Sequence, residues 1–293
     1  MTTWKPVVVG VDASEAARGA AKLGALIAKA AATECRLVHA ARDVWADLAV
    51  VQVPEQVEAF RRSVSDAARA QLGQNLADVV PATVLERLVV KTGWPPAVLD
   101  DALRDSGAEL LVLGAKHHSA LGRWLGGSTV QNVVRMLRTP LLVTGAPPAA
   151  IRRVLTAVDL SYAAAATLKA ARRYADLFGA ELRVLHTIEP LPILPEAPPP
   201  PSLQDYEALL EDELKQKIWP LVGDAAIHKL VRHGSPEVTI TAEAHAWQAD
   251  LVVLGSHGKG WVDRMLLGSV TERLLQHLPA PTLVVPVGRP PAA

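Results

Sequence analysis

Short apolar runs alternate with longer segments whose apolar residues recur at helical spacing, and this alternation extends along the whole chain. In the first half the runs predict strands near 6–12, 35–41, 83–90, 109–114 and 140–145, with helices near 14–31, 55–78, 95–105 and 128–138. In the second half strands are expected near 152–158, 182–188, 226–232, 250–255 and 282–287, with helices near 161–178, 203–219, 235–247 and 269–277. Strands that alternate with helices imply right-handed crossovers and a parallel, doubly wound α/β sheet. Ser14 and Ser161 are placed to cap their helices, because a hydroxyl at that position accepts from an otherwise unpaired amide.

The pattern is an internal repeat. Val7-Val8-Val9-Gly10-Val11-Asp12-Ala13-Ser14 returns as Val154-Leu155-Thr156-Ala157-Val158-Asp159-Leu160-Ser161, and Arg36-Leu37-Val38-His39 returns as Arg183-Val184-Leu185-His186. Gly93-Trp94-Pro95 returns as Gly234-Ser235-Pro236, and Gly127-Ser128 returns as Gly268-Ser269. Landmarks in one order, with a single change of offset, indicate a duplicated domain rather than a solenoid. The seam falls at Pro147-Pro148-Ala149-Ala150, giving domains 1–147 and 148–293. Each is long enough for its own core.

Composition narrows the class. Apolar residues make up 50% of the chain and aromatic residues only 4%, as expected for helices layered on a buried parallel sheet. A formal net charge of zero leaves no electrostatic footprint for nucleic acid. No run reaches the length of a membrane span, and no basic-then-apolar leader opens the chain, so a cytoplasmic setting is expected. Cys35 is the only cysteine, which excludes an intrachain disulfide.

The candidate chemistry lies in Gly255-Ser256-His257-Gly258, nine residues, then Gly268-Ser269. A buried strand running through glycines into a helix start suits an anion, since bare amides and the helix dipole both face it. In doubly wound sheets ligands sit at the carboxyl ends of the strands. Asp12 and Asp159 end the first strand of each half; if the first and fourth strands are neighbours, acid and glycine loop flank one crevice, a setting that suits a nucleotide.

These residues carry a resemblance: the chain looks like a tandem universal stress protein. The family pattern is an early strand ending in Asp, a second strand with a Leu-His type run, and a late G-x2-G-x9-G-[S/T] loop. The resemblance implies two five-stranded parallel domains of strand order 3-2-1-4-5, an adenine-nucleotide α-hydrolase-like fold, and ATP binding with Mg²⁺ where the loop is kept. It implies an intrachain pair of the two halves through Leu141–Val143 and Leu283–Val285, and suggests a homodimer. It places Asp159 toward the adenine or ribose and the backbone of Thr187 against the adenine. Gly255, Ser256, Gly258, Gly268, Ser269, Val270 and Thr271 would hold the phosphates. The matching first-half positions are Asp12, Ala40, Gly114, Ala115, His117, Gly127, Ser128 and Thr129. His117 replaces a family glycine and its ring would fill phosphate space, so the first site is expected to be weakened.

Plainer readings stand beside these. The glycine loops also suit tight strand-to-helix connections, and Asp12 and Asp159 also suit local caps of their strand ends. His39 and His186 suit local hydrogen bonds better than catalysis. His117, His118 and His257 lack a cysteine or HExxH partner for zinc. Arg123 and Arg264 sit inside the loops as phosphate clamps or solvated positions, and Trp124 and Trp261 suit packing beneath them. The proline-dense segment from Glu189 to Pro201 reads as a spacer, and the apolar stretch from Val44 to Pro54 as a cover or contact. An adenylating or ATP-hydrolysing enzyme has little support: there is no Gly-Lys-Ser/Thr phosphate loop, and Asp263 is the sole acid inside the intact loop. The expected function is a nucleotide-responsive stress regulator without catalytic residues, and the alternative is a nucleotide-free scaffold.

Overall fold

A computed structural model describes residues 3–41, 54–115, 130, 132–133, 138–189, 203–223, 227–257 and 267–286. The chain divides into two compact units, Met1–Pro147 and Pro148–Ala293. The first unit holds strands β1 (Val7–Gly10), β2 (Cys35–Ala41), β3 (Val89–Thr92), β4 (Leu110–Gly114) and β5 (Leu141–Thr144). Its helices are α1 (Glu15–Ala30), α2 (Pro54–Leu76), α3 (Ala82–Leu85) and α4 (Pro95–Ser106). The second unit holds β6 (Arg153–Ala157), β7 (Glu181–Ile188), β8 (His228–His233), β9 (Leu251–Gly255) and β10 (Thr282–Val285). Its helices are α5 (Ala163–Phe178), α6 (Leu203–Glu213), α7 (Trp219–Val222), α8 (Pro236–Trp247) and α9 (Ser269–Gln276).

Within the first unit the strands lie in the order β3-β2-β1-β4-β5, and within the second β8-β7-β6-β9-β10. Both are the order 3-2-1-4-5, with every recorded pair parallel. The strand order therefore reverses between the first and fourth strands of each unit, β1 with β4 and β6 with β9. That reversal opens a crevice at the carboxyl ends of those strands.

The central strands are buried almost throughout, as parallel strands covered on both faces must be. Helix α1 turns Ala17, Ala20, Ala21, Leu23, Gly24, Ile27 and Ala28 to the sheet. Gly24 permits its close approach, because a Cβ there would lie 2.4 Å from Val9 Cγ2. In the second unit Leu155, Leu185, Val252 and Leu254 of the sheet pack with Ile240, Ala244 and Trp247 of α8 and Leu274 of α9. Each fully buried aliphatic side chain of this kind contributes about 1.5–3 kcal/mol.

The repeated Gly-x-Pro motif has a clear cause. Gly93 and Gly234 follow the third strand of their units at φ +146° and +131°, a region closed to side chains, and Pro then opens α4 and α8.

Three expectations need correction. The strand expected at 83–90 is confined to Val89–Thr92, because Pro81 starts a helical turn over Ala82–Leu85. Ser161 is not the cap residue of its helix: α5 begins at Ala163 with Tyr162 at the cap position, while Ser161 Oγ accepts from Ala163 N at 3.2 Å. The helix expected at 203–219 breaks into α6, a π turn at Leu214–Ile218 and α7, since Pro220 lacks the amide that would continue the ladder. Most of the helix expected at 128–138 lies outside the described residues, as do 42–53 and 190–202.

Cys35 opens β2 and is 6% exposed; burial, with the nearby Glu34 charge, pushes its thiol up to about 12. Native protein at pH 8 is expected to ignore a thiol-reactive disulfide, and one thiol should titrate only after denaturation. Rapid labelling of native protein would contradict this burial.

Candidate nucleotide crevice

The two strand ends are built alike. Val158 N continues the ladder to Leu185 O at 2.9 Å, and Val11 N does so to Val38 O at 2.9 Å. One carboxylate oxygen of Asp159 then accepts from Ser161 N at 3.0 Å and from the Ser161 hydroxyl. Asp12 repeats this with Ser14 N at 2.9 Å and the Ser14 hydroxyl. Ser14 Oγ in turn caps α1 by accepting from Ala17 N at 3.3 Å. Both acids thus hold the strand-to-helix turn.

The histidines close the strand ends. His186 Nδ1 lies 2.8 Å from Val158 O, and His39 Nδ1 lies 2.7 Å from Val11 O. A carbonyl only accepts, so Nδ1 carries the hydrogen in both rings. Because His186 is buried, His186→Ala is expected to cost about 1–3 kcal/mol by stranding the Val158 carbonyl. A thermal melt unchanged by that substitution would show that water replaces the ring.

Backbone parity identifies which groups face the crevice. Leu185 O accepts from Val158, so Leu185 and Thr187 turn their backbone toward β6, whereas Ile188 O accepts from Gly234 N on the opposite side. Since β6 ends opposite Leu185, the Thr187 backbone faces the space beyond that end. Ala40 holds the equivalent position: Val38 bonds toward β1 and Ala41 O accepts from Gly93 N.

The glycine motif is more committed than its sequence implies. Ser256 N donates to Val285 O at 2.8 Å and Gly268 N donates to Ser256 O at 2.9 Å, so neither amide points at a ligand. Ser256 is 6% exposed, and its hydroxyl lies 2.9 Å from His257 Nδ1. The Thr271 hydroxyl bonds Gly255 O at 2.8 Å, and Val270 packs partly against the core. What these residues offer an anion is backbone. Gly268 caps α9 at φ −59° and ψ 139° with no side-chain bond to the helix, and Glu272 N makes the first turn's bond to Gly268 O at 2.9 Å. The amides of Ser269, Val270 and Thr271 precede that bond and form the helix start.

Gly255 and Gly114 serve packing first. A Cβ at Gly114 would lie 2.4 Å from the backbone C and O of Ala16, so α1 rests directly on the end of β4. At Gly255 the nearest atom would be Thr167 Oγ1 at 3.0 Å. Thr167, buried and bonded to Ala163 O at 2.9 Å, supports that strand end and was missed in the sequence because it reads as one more helix position. Ala115 N is spent on Thr144 O at 2.8 Å. Gly258, His117, His118, Gly127, Ser128, Thr129, Arg123, Arg264, Trp124, Trp261 and Asp263 lie outside the described residues. Among the described residues no group of three or more His, Cys, Asp or Glu side chains is placed to hold a metal, and no helix is long and apolar enough to cross a membrane.

A repeated five-stranded unit of this order, with Asp ending its first strand and glycine its fourth, invites comparison with known proteins. The model of the universal stress protein family matches residues 3–145 and again 150–286. This chain belongs to the universal stress protein family. A universal stress protein of Mycolicibacterium smegmatis is 30% identical over 297 residues, covering 95% of this chain and 96% of its own length. One from Mycobacterium tuberculosis is 29% identical over 292 residues, with 95% and 96% covered. The crystal structure of a universal stress protein from Archaeoglobus fulgidus shares the fold at a TM-score of 0.64 and 18% identity, covering 97% of this chain and 98% of its own. The family carries two domains here in one chain, so the duplication read from the strand ends is that of a tandem universal stress protein.

Proposed function

We propose that this tandem universal stress protein binds ATP in the crevice of its second unit and acts as a nucleotide-responsive regulator of stress. The observation that carries the reading is the start of α9, whose cap residue Gly268 makes no side-chain bond to the helix. Backbone amides at Ser269, Val270 and Thr271, with the helix dipole behind them, suit a phosphate group. Asp159 and the crevice-facing backbone of Thr187 stand at the neighbouring strand ends, where a ribose hydroxyl and an adenine edge find an acceptor and a strand edge. These residues fit a nucleotide. A Mg²⁺ ion would ride on the phosphates and neutralise charge there. The first unit is the weaker site, because His117 stands where the second unit has Gly258.

Such a protein needs no catalytic group. Binding stabilises the liganded form by about 2.7 kcal/mol at a hundred times Kd, enough to bias a regulatory equilibrium. The test is extraction of nucleotide from purified protein, followed by calorimetry with ATP and Mg²⁺. One site of micromolar strength is expected. Absence of both bound nucleotide and added-ATP heat would favour a scaffold, a reading supported by the two loop amides already bonded within the protein. Two family domains support an intrachain pair, and sedimentation would report whether such chains also form a homodimer.

A further inference from the structure

Helix α9 is only 8 residues long, Ser269–Gln276. A helix this short does not hold itself in water, where about 12–15 residues are needed even for marginal helicity. Its order and its direction therefore come from the rest of the second unit. The second turn is held by packing and charge. Leu274 is buried with Ile240, Ala244 and Trp247 of α8, and the Arg273 guanidinium bonds the Glu237 carboxylate in the first turn of α8. Hydrogen bonds from Ser235, the backbone and Arg273 keep that carboxyl below its ordinary value, so the pair stays charged.

The first turn, which carries the amides of Ser269, Val270 and Thr271, is held differently. Val270 packs partly on the same cluster, a contact without direction. Thr271 is 5% exposed, and its hydroxyl donates to the carbonyl of Gly255, the last residue of β9, at 2.8 Å. The next carbonyl along, that of Ser256, accepts from Gly268 N at 2.9 Å, just before the helix begins. One bond would leave the helix free to swing about it; two bonds, three residues apart on the helix side, fix a line. The backbone bond is open to any residue at 268 that has an amide. The second bond depends on the side chain at 271. Since that hydroxyl proton is spent on Gly255 O, Thr271 reaches a ligand through its backbone, and its side chain serves to aim the turn.

The first unit differs at these positions. Gly127-Ser128-Thr129-Val130 matches Gly268-Ser269-Val270-Thr271, so Val130 replaces the hydroxyl with a methyl. Asn132 and Pro96 stand where the second unit has Arg273 and Glu237, so the ion pair has no counterpart either.

We propose that Thr271 is a positioning residue: its hydroxyl on Gly255 O sets the direction of the α9 start and so gives the second unit its grip on a triphosphate. This rests on the nucleotide reading above and assigns to one side chain the geometry that reading needs. Amides aimed before the ligand arrives cost nothing to order when it binds.

The test is calorimetry on the full chain with ATP and Mg²⁺, and separately with adenosine, which has no phosphate. Thr271→Val, which installs the first unit's residue at constant shape, should weaken ATP about tenfold, the worth of one buried hydrogen bond. Adenosine should bind both proteins alike, and Thr271→Ser, which keeps the hydroxyl, should restore ATP affinity. Should the valine pack badly and lower the melting temperature, Thr271→Ala, which only removes atoms, takes its place and should show the same split between ATP and adenosine. Equal loss of ATP and adenosine would mean a merely structural role and overturns the proposal, as does a serine variant no better than the valine one. Unmodified protein that binds no ATP overturns the nucleotide reading itself. Unmodified protein that binds ATP no better than Thr271→Val overturns only the role of the hydroxyl.

Discussion

Gly268→Asp is expected to lower ATP affinity by about a hundredfold while leaving the protein as stable or slightly more stable. The backbone at this cap position, φ −59° and ψ 139°, is open to any residue, so the substitution adds no backbone strain. An aspartate there reaches the amides of the first turn of α9 and takes the hydrogen bonds that a phosphate would use. It stabilises the helix by a few tenths of a kcal/mol relative to glycine through capping, with a similar gain from the dipole. The same carboxylate repels the triphosphate. A hundredfold loss corresponds to about 2.7 kcal/mol. Calorimetry and a melt on the same sample separate the two effects. Gly268→Asn, which caps without charge, should fall between the two proteins. Unchanged affinity in the aspartate variant would show that phosphates do not reach α9, and the proposed crevice would be wrong.

The second large effect is one of stability and sets the two halves against each other. Gly114→Ala puts its methyl 2.4 Å from the backbone C and O of Ala16 and 2.8 Å from Ala17 N. Backbone in the first turn of a helix has no rotamer to change, so α1 must move off β4. A cost of about 3 kcal/mol or more is expected, at the upper end for overpacking. The matching Gly255→Ala meets Thr167 Oγ1 at 3.0 Å and the His257 carbonyl oxygen at 3.2 Å, contacts relieved by shifts of a few tenths of an ångström, and should cost less, about 1–2 kcal/mol. Urea unfolding of both variants checks this. The chain has two units, so the earliest transition should be compared rather than one global midpoint. Equal losses would mean that the two strand ends are equally close-packed.

These glycines show how far the sequence reads correctly and where it misleads. The repeat of Val-rich strand, Asp and Ser announced both strand ends, and the structure gives Asp12 and Asp159 the same local bonds. In the sequence Gly114 and Gly255 read as places where backbone approaches phosphate. Their spacing did not reveal that a helix already occupies the side where a Cβ would stand. The resemblance puts Ser256 and Thr271 at the phosphates; in the structure Ser256 N bonds Val285 O and the Thr271 hydroxyl bonds Gly255 O, partners remote in sequence. The third strand was placed too early because Val84 and Leu85 carry the residue types of a strand, whereas Pro81 sets a helical turn.

The sequence by itself determined the class of fold, the duplication, the strand ends and the family, because period, glycine and proline act through local backbone geometry. Only the tertiary structure decided which amides stay available to an anion. A hydrogen bond is spent once, and whether Ser256 N or Gly268 N has spent its own depends on what β10 and the loop bring within 3 Å. It likewise decided that α2 is seated on the sheet at Leu72 and Leu76, because packing is settled between elements.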